Sequence, residues 1–371
     1  MRLRACWIVL LIGVFGTTVS GQSPPSNVDV FVSGTEGYFA YRIPAIETAA
    51  DGSLLAIAEA RKYNLEDPGF GKQDIDLVAR RSTDKGQTWP PMVVVEDPGE
   101  LWSAANPTTV VDRQTGRVWL FYLQCKPERN TFTARPGTDD SRVLARTSDD
   151  HGVTWSDPMD LTSASRDMGD ATWHITVIGP GGAIQDHLGR LLLPAWKYEP
   201  YRVFTLYSDD HGATWKRGQL VPGDQGLNES QLVELADGRI LLDMRQMEGG
   251  THRWMSVSRD RGETWSQPYP GNAVSPVACA VERFPARIAP GEDERILWTG
   301  PKGPDRQTLV LRISDDQGQT FGHERILAEQ PAAYSDLTVL SDGTIGCLWE
   351  RGEYKFITFT RFDIGRLVRI P

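Results

Sequence analysis

Ser148-Asp-Asp-His-Gly-Val-Thr-Trp155 and Ser208-Asp-Asp-His-Gly-Ala-Thr-Trp215 are almost the same octapeptide, and three relatives of it occur in the same chain. These are Ser82-Thr-Asp-Lys-Gly-Gln-Thr-Trp89, Ser258-Arg-Asp-Arg-Gly-Glu-Thr-Trp265 and Ser314-Asp-Asp-Gln-Gly-Gln-Thr-Phe321. The shared form, S-x-D-x-G-x-T-[WF], is an internal repeat, and repeats decide an architecture before any single element does. A strand-like run precedes each copy: Asp76–Arg80, Arg142–Arg146, Val203–Tyr207, Trp254–Val257 and Leu309–Ile313. Ser and Asp side chains bond backbone N–H groups inside turns, and Gly supplies positive φ. Each copy therefore reads as a turn between two strands, with the Thr and the aromatic opening the return. Read as calcium ligands or catalytic acids, the box Asp residues would need free carboxylates; turn chemistry already occupies them.

The serines of successive copies are 66, 60, 50 and 56 residues apart. That period fits a four-stranded sheet with its connections, and about six such units fill the chain, within the 4–8 blades of β-propellers. Further strand signals fall at Val28–Val32, Arg117–Leu123, Arg190–Leu193, Ile240–Met244 and Lys355–Thr360. The 24 Pro and 36 Gly punctuate the sequence evenly, and no long amphipathic pattern interrupts them. The expectation is an all-β, six-bladed β-propeller over residues 22–371 with no internal domain boundary.

Residues 1–21 read differently. Arg2 and Arg4 precede an apolar run from Ala5 to Gly16, followed by the small residues Thr17 to Gly21, the order of a secretory signal. The run is shorter than the roughly 20 residues a membrane span needs. The reading is therefore a cleaved signal peptide, a secreted or periplasmic product, and no transmembrane segment after cleavage. The chain of 371 residues carries 39 basic and 49 acidic side chains, a formal charge of −10. That balance argues against nucleic acid as a partner, which calls for a basic face. Cys125, Cys279 and Cys347 each lie in or beside apolar stretches and read as buried thiols or at most one disulfide. No CxxC, HExxH or paired Cys/His spacing is present, so no metal is expected.

The octapeptide resembles the Asp-box of the sialidases (neuraminidases), a family of six-bladed propellers. Asp-boxes also occur in non-catalytic propellers, so the sharper match is Tyr41-Arg42-Ile43-Pro44, which is similar to the [FY]-R-I-P signature opening sialidase domains. Further segments resemble the family in chain order: Leu55-Ala-Ile-Ala-Glu-Ala-Arg61, Ala104-Ala-Asn-Pro107, Gly179-Pro-Gly-Gly182, Gly189-Arg-Leu-Leu-Leu-Pro-Ala195, Glu229-Ser-Gln-Leu-Val-Glu234, Asp243-Met-Arg245, Ala333-Tyr-Ser-Asp336 and Cys347-Leu-Trp-Glu350. The resemblance implies an exo-α-sialidase that hydrolyses terminal sialic acids with retention of configuration, acting on sialylated glycoproteins, glycolipids or oligosaccharides. It implies no cofactor, and a monomer. A trans-sialidase, a hydrolase of a related nonulosonic acid and a non-catalytic glycan-binding propeller are the alternatives; the last predicts a lost Tyr, Glu or Arg motif, and none is lost.

The chemistry fits the residue types. A sialic acid bears a carboxylate on its anomeric carbon, and arginine forks match carboxylates bidentately. The resemblance assigns that role to Arg42, Arg245 and Arg306, with Lys302 and Arg312 as weaker alternatives for the third, and makes Glu350 the partner of Arg42. It makes Tyr334 the nucleophile. A neutral phenol approaches the carboxylate-bearing carbon with less repulsion than an ionised Asp, and a nearby base must take its proton; that base is Glu229. Taken alone, each would read as a packed Tyr and a surface Glu. Sialidases with a Tyr nucleophile are a known departure from the two-carboxylate scheme of glycosidases. The proton donor falls in the loop Arg61–Asp76, as Asp67 beside Pro-Gly, with Asp74 as the alternative nearer the strand. Asn106, Trp102 and Trp173 are candidates for lining the pocket. Asn228-Glu-Ser is formally a glycosylation sequon, set aside because Glu229 belongs to the site.

Overall fold

The computed structural model describes residues 26–364, except 248, 275–276 and 286–293. The expected signal, 1–21, lies outside the described residues. Among the described residues the one helix is the single turn Thr162–Ser165. Everything else regular is strand, and apart from the two-residue strands Gly181–Gly182 and Ile184–Gln185 the strands fall into six antiparallel four-stranded units.

The first unit runs Ala40–Thr48, Leu54–Arg61, Ile75–Ser82 and Val93–Glu96. The second runs Ser103–Val111, Val118–Cys125, Ser141–Ser148 and Met159–Asp160. Ile175–Ile178, Leu191–Tyr198, Arg202–Ser208 and Lys216–Arg217 make the third. Leu227–Glu234, Ile240–Gln246, Trp254–Ser258 and Tyr269–Pro270 make the fourth. The long strand Gly322–Val339 serves twice. Up to Pro331 it closes the fifth unit beside Ala280–Phe284, Arg295–Pro301 and Gln307–Ser314; from Ala332 it opens the sixth, beside Ile345–Arg351 and Phe356–Phe362. The sixth is completed by Ser26–Val32, which pairs Ser26 with Arg361 and Val32 with Phe356. The fold is a six-bladed β-propeller whose last blade takes its outer strand from the other end of the chain.

Apolar side chains fill the spaces between blade faces. Leu123 of the second blade, Trp196 of the third and Leu232 of the fourth share one cluster, and Tyr41 and Val78 of the first pack with Leu348 and Phe359 of the sixth. The second strand of the first blade, Leu54–Arg61, is buried along its whole length. That explains why it reads as a continuous apolar run rather than an alternating one.

The five repeats stand between the third and fourth strands of blades one to five. In each, the Asp is saturated locally. In the third blade Asp210 accepts from the Ser208 hydroxyl (2.8 Å), the Thr214 N–H (2.8 Å) and the Thr214 hydroxyl (2.6 Å), and Gly212 N–H donates to Ser208 Oγ (2.8 Å). Asp84 and Asp150 are held the same way by Thr88 and Thr154, whose bonds keep their carboxyls down at about 2. These groups are turn anchors, as the sequence suggested. The glycine has a second duty. At Gly212 (φ +86°) a Cβ would overlap the Trp119 ring of the preceding blade, and at Gly152 (φ +83°) it would overlap Leu55. Gly262, Gly318 and Gly86 press in the same manner on Leu192, Leu241 and Phe359. Each box therefore stitches its blade to the one before, and Gly86 stitches the first to the sixth. The sixth blade has no box because its third and fourth strands are not consecutive in the chain.

Cys125, Cys279 and Cys347 are buried free thiols. No helix among the described residues is long and apolar enough to cross a membrane.

Candidate active site

Four of the innermost strands break register near the same end of the propeller. The breaks fall between Arg42 and Ala45, between Ala105 and Thr108, between Leu227 and Ser230, and between Ala332 and Ser335. Extra residues in a strand re-aim side chains that a regular ladder would point elsewhere. Arg42, Asn106, Glu229 and Tyr334 all sit at these breaks. In two of them the sequence supplies the cause. Ile43 (φ +56°) precedes Pro44, and Asn106 (φ +55°) precedes Pro107. Proline has no N–H to give a ladder, and positive φ in a β-branched residue is a strained conformation that clusters at functional sites.

Tyr334 is the centre. Its hydroxyl donates to Glu229, with Oε2 at 2.6 Å and Oε1 at 2.8 Å. The same phenol oxygen accepts from Arg245 NH1 (2.8 Å), which also pairs with Glu229 Oε2 (2.5 Å). The guanidinium carbons of Arg42 and Arg306 stand 5.4 and 5.5 Å from the Tyr334 ring centre. Burial drives the phenol well above its usual range and the Glu229 charge adds to this, while Arg245, Arg306 and Arg42 pull the other way. Tyr334 is therefore protonated at rest, with its proton already directed at Glu229.

Glu350 holds Arg42 by a two-pronged contact, Nε to Oε1 at 3.0 Å and NH2 to Oε2 at 3.2 Å. Its two oxygens also accept from Ile43 N–H (2.9 Å) and Tyr334 N–H (3.2 Å). One carboxylate thus fixes an arginine of the first blade and the backbone of the tyrosine of the sixth. Arg306, in the loop between Arg295–Pro301 and Gln307–Ser314, donates to the Tyr354 hydroxyl (2.6 Å). The weaker alternatives lie elsewhere: Lys302 and Arg312 both pair with Glu324, at 2.5 and 2.9 Å.

The two acids separate clearly. The Asp67 side chain is 65% exposed, 3.2 Å from Arg61 NH2 and 3.9 Å from Arg42 NH1, and it opens into the cavity. Asp74 is 3% exposed, paired with Lys62 (2.9 Å) and capping the Leu101 N–H (2.9 Å), away from the cavity. The cavity itself measures about 320 Å³ and brings together Arg42, Asp67, Asn106, Glu229, Arg245, Arg306 and Tyr334. Opposite the arginines it has an apolar wall of Leu123, Ile175, Val177, Trp196 and Tyr201. Trp173 is not part of it; its indole is buried against Phe204 and donates to Thr176. Trp102 also lies outside the lining. Asn228 of the sequon is 3% exposed, on the cavity wall.

Sequence reasoning did not single out Arg61, Tyr354 or the apolar wall. Arg61 had a signal: it and Glu59 are charges two apart in an otherwise apolar run, hence on one face, and Arg61 Nε and NH2 both donate to the single oxygen Glu59 Oε2 (3.0 and 2.6 Å) in a fully buried pair. Tyr354, in a turn, had none. Among the described residues no group of His, Cys, Asp and Glu is arranged to hold a metal.

Residues 52–347 match the family model described as a BNR repeat-like domain. The chain is 30% identical over 379 residues to the sialidase of Paraclostridium sordellii, covering 93% of this chain and 91% of that one. It belongs to the sialidase family. It is also 32% identical to the sialidase of Micromonospora viridifaciens, with 99% of this chain aligned to 60% of the relative, so it spans about three fifths of that longer protein. Among solved structures, a Hadza microbial sialidase superposes with a TM-score of 0.84 at 26% identity, over 92% of this chain and 69% of the other. The bulged inner strands, the paired Tyr334 and Glu229 and the three arginines are how this sialidase-family chain builds its cavity.

Proposed function

We propose that this protein is an exo-α-sialidase that releases terminal sialic acids from glycoconjugates with retention of configuration. The observation that carries the reading is the Tyr334–Glu229–Arg245 contact inside a cavity faced by Arg42 and Arg306. The three guanidinium groups take the sugar's carboxylate, and the apolar wall takes its uncharged face. Tyr334 Oη attacks the anomeric carbon as its proton passes to Glu229. The glycosidic C–O bond breaks and the departing oxygen takes a proton from Asp67. Water then attacks from the vacated face, giving its proton to Asp67, and the Tyr334–carbon bond breaks as Glu229 returns the phenol proton. Two displacements at one carbon retain its configuration. Arg2, Arg4 and the apolar run support an exported enzyme acting outside the cytoplasm.

The test is hydrolysis of a fluorogenic sialoside by the wild-type protein and by Tyr334→Phe, with a difluorinated sialic acid as trapping reagent. Wild-type turnover, a loss of about 10²-fold or more in the variant, and a covalent adduct on Tyr334 are expected. Adduct on another residue with an active Phe variant would overturn the assignment. Release of an intramolecular anhydro product instead of free sialic acid would move the reaction to transfer.

A further inference from the structure

The loop that carries Asp67 belongs to the first blade, but it is not held by the first blade alone. From inside, Arg61 NH1 donates to the carbonyls of Leu65 (2.5 Å) and Glu66 (3.0 Å). From outside, the second blade's loop between Val118–Cys125 and Ser141–Ser148 closes on it. Asn130 Nδ2 donates to the Gly69 carbonyl (3.3 Å), although Asn130 is a buried residue of another blade. Gly69 (φ +73°) lies so close to the Arg129 carbonyl that a Cβ would overlap it. Phe70 meets Phe132 edge-on, centroids 6.1 Å apart, and Phe132 in turn meets Tyr198 of the third blade at 5.3 Å. Phe132 is 53% exposed, so burial of its own surface does not account for its place. Gly69 and Phe70 follow Asp67 by two and three residues, and the Phe70 N–H closes the turn on the Asp67 carbonyl (3.1 Å).

We propose that Asn130 and Phe132 are positioning residues for proton donation: the second blade fixes where the Asp67 carboxyl stands above the cavity. The inference rests on Asp67 being the acid. An acid on an exposed loop must be held to a fraction of an ångström to meet the leaving oxygen in line, and misplacement by one ångström is costly. Within the first blade, Arg61 and Gln73, whose Nε2 also donates to the Glu66 carbonyl, pin the approach to Asp67; the descending side, Gly69 and Phe70, takes its hold on the rest of the propeller from the second blade. Asn130 is suited to this because its Oδ1 is already engaged, accepting from Phe132 N–H (2.9 Å) and Thr133 N–H (3.2 Å), which shapes its own loop. Its Nδ2 is left to reach across.

Asn130→Asp separates the two duties, keeping the Oδ1 acceptor and removing the donor to Gly69. Phe132→Leu removes the ring edge and keeps an apolar side chain. Both are compared with Asp67→Ala on two substrates, an aryl sialoside whose phenolate leaves unaided and sialyllactose, whose alkoxide does not. General-acid catalysis is worth about 10²–10⁴-fold. Asp67→Ala should therefore lose that much on sialyllactose and little on the aryl substrate. Asn130→Asp and Phe132→Leu should show the same selectivity at smaller size, about 10-fold in kcat on sialyllactose, a fraction of the full effect of the acid, whatever Asn130→Asp loses in melting temperature by setting a carboxylate against the Gly69 carbonyl. A merely structural role would lower both substrates together. Selectivity in Asp67→Ala without selectivity in the other two would overturn the positioning role and leave the acid standing. No selectivity in Asp67→Ala would overturn the acid, and the positioning role with it.

Discussion

Replacing Glu350 by Gln keeps its shape and changes one oxygen into an NH2 group. All four lone-pair directions of the carboxylate are in use: Oε1 accepts from Arg42 Nε and Ile43 N–H, and Oε2 accepts from Arg42 NH2 and Tyr334 N–H. Whichever way the amide turns, its nitrogen faces two donors, so two hydrogen bonds become donor–donor contacts. The Arg42 guanidinium also loses its counter-charge. It is buried, and burial, the strongest single influence on it, favours losing the proton; Glu350, joined by Tyr334 and Tyr354, outweighs this and holds the proton above the usual range. Breaking one side of a buried ion pair costs about 3–5 kcal/mol. The exposed pair Arg117–Asp149 gives the scale for comparison: Asp149→Asn should change stability by less than about 1 kcal/mol. Urea denaturation of the two variants beside wild type measures the difference, and sialoside kinetics should show the Glu350 variant binding worse, since Arg42 is no longer held at the cavity wall. Equal midpoints for the two variants would refute the argument that Glu350 holds the junction together.

Arg306→Lys keeps charge but loses the fork and its contact to Tyr354; affinity for a sialic acid inhibitor should fall by about 1.5–3 kcal/mol, while Lys302→Gln should bind as wild type in the same titration. Gly212→Ala forces a Cβ into the Trp119 ring at a positive φ; it should destabilise by about 1–3 kcal/mol through overpacking alone, and an unchanged melting temperature would count against the stitching role of the boxes. At the opposite end of the propeller burial raises Glu47, Glu282 and Asp336 to about 8, 8 and 6 respectively; the Asp336 charge adds to this at both glutamates and the Glu282 charge adds at Glu47, while hydrogen bonds from Ile46, Gln231 and Gly182 restrain Asp336. The native state thus binds protons more tightly than the unfolded chain, and this contribution to stability is present at low pH and lost as pH rises through about 6 to 8. Melting temperature should climb from pH 8.5 to pH 5.5, less steeply in Glu47→Gln; a fall over that range would contradict the reading.

The blade count was legible because each box carries its own physics: a saturated Asp, a glycine pressed on the neighbouring blade and an aromatic at its end. Nothing comparable marks the sixth blade, and only the spacing implied it. At the site, Arg42, Glu229, Arg245, Tyr334 and Glu350 were legible through local motifs, and the structure brings them together with Arg306, chosen from a Gly/Pro-rich loop by position. Asp67 was favoured over Asp74 for its place beside Pro-Gly, and burial now separates the two: Asp67 opens into the cavity and Asp74 does not. The apolar wall was invisible for a related reason: Leu123, Ile175 and Trp196 look like any core residue until the bulges beside them show which strand ends face a cavity.

The strand Ser26–Val32 completes the sixth blade against Phe356–Phe362, and the cavity straddles the seam between that blade and the first, with Arg42 on one side and Tyr334 and Glu350 on the other. During synthesis the ribosome delivers the arginine roughly three hundred residues before its carboxylate partner. A nascent chain with five finished blades holds Arg42, Asp67, Glu229, Arg245 and Arg306 but lacks Tyr334, the proposed nucleophile, and its first arginine lacks Glu350. On the proposed mechanism turnover begins only when the ring shuts, which would make activity a reporter of that closure. A cut between Val32 and Ala40 that let the outer strand drift away should silence the enzyme while leaving most of its sheet intact.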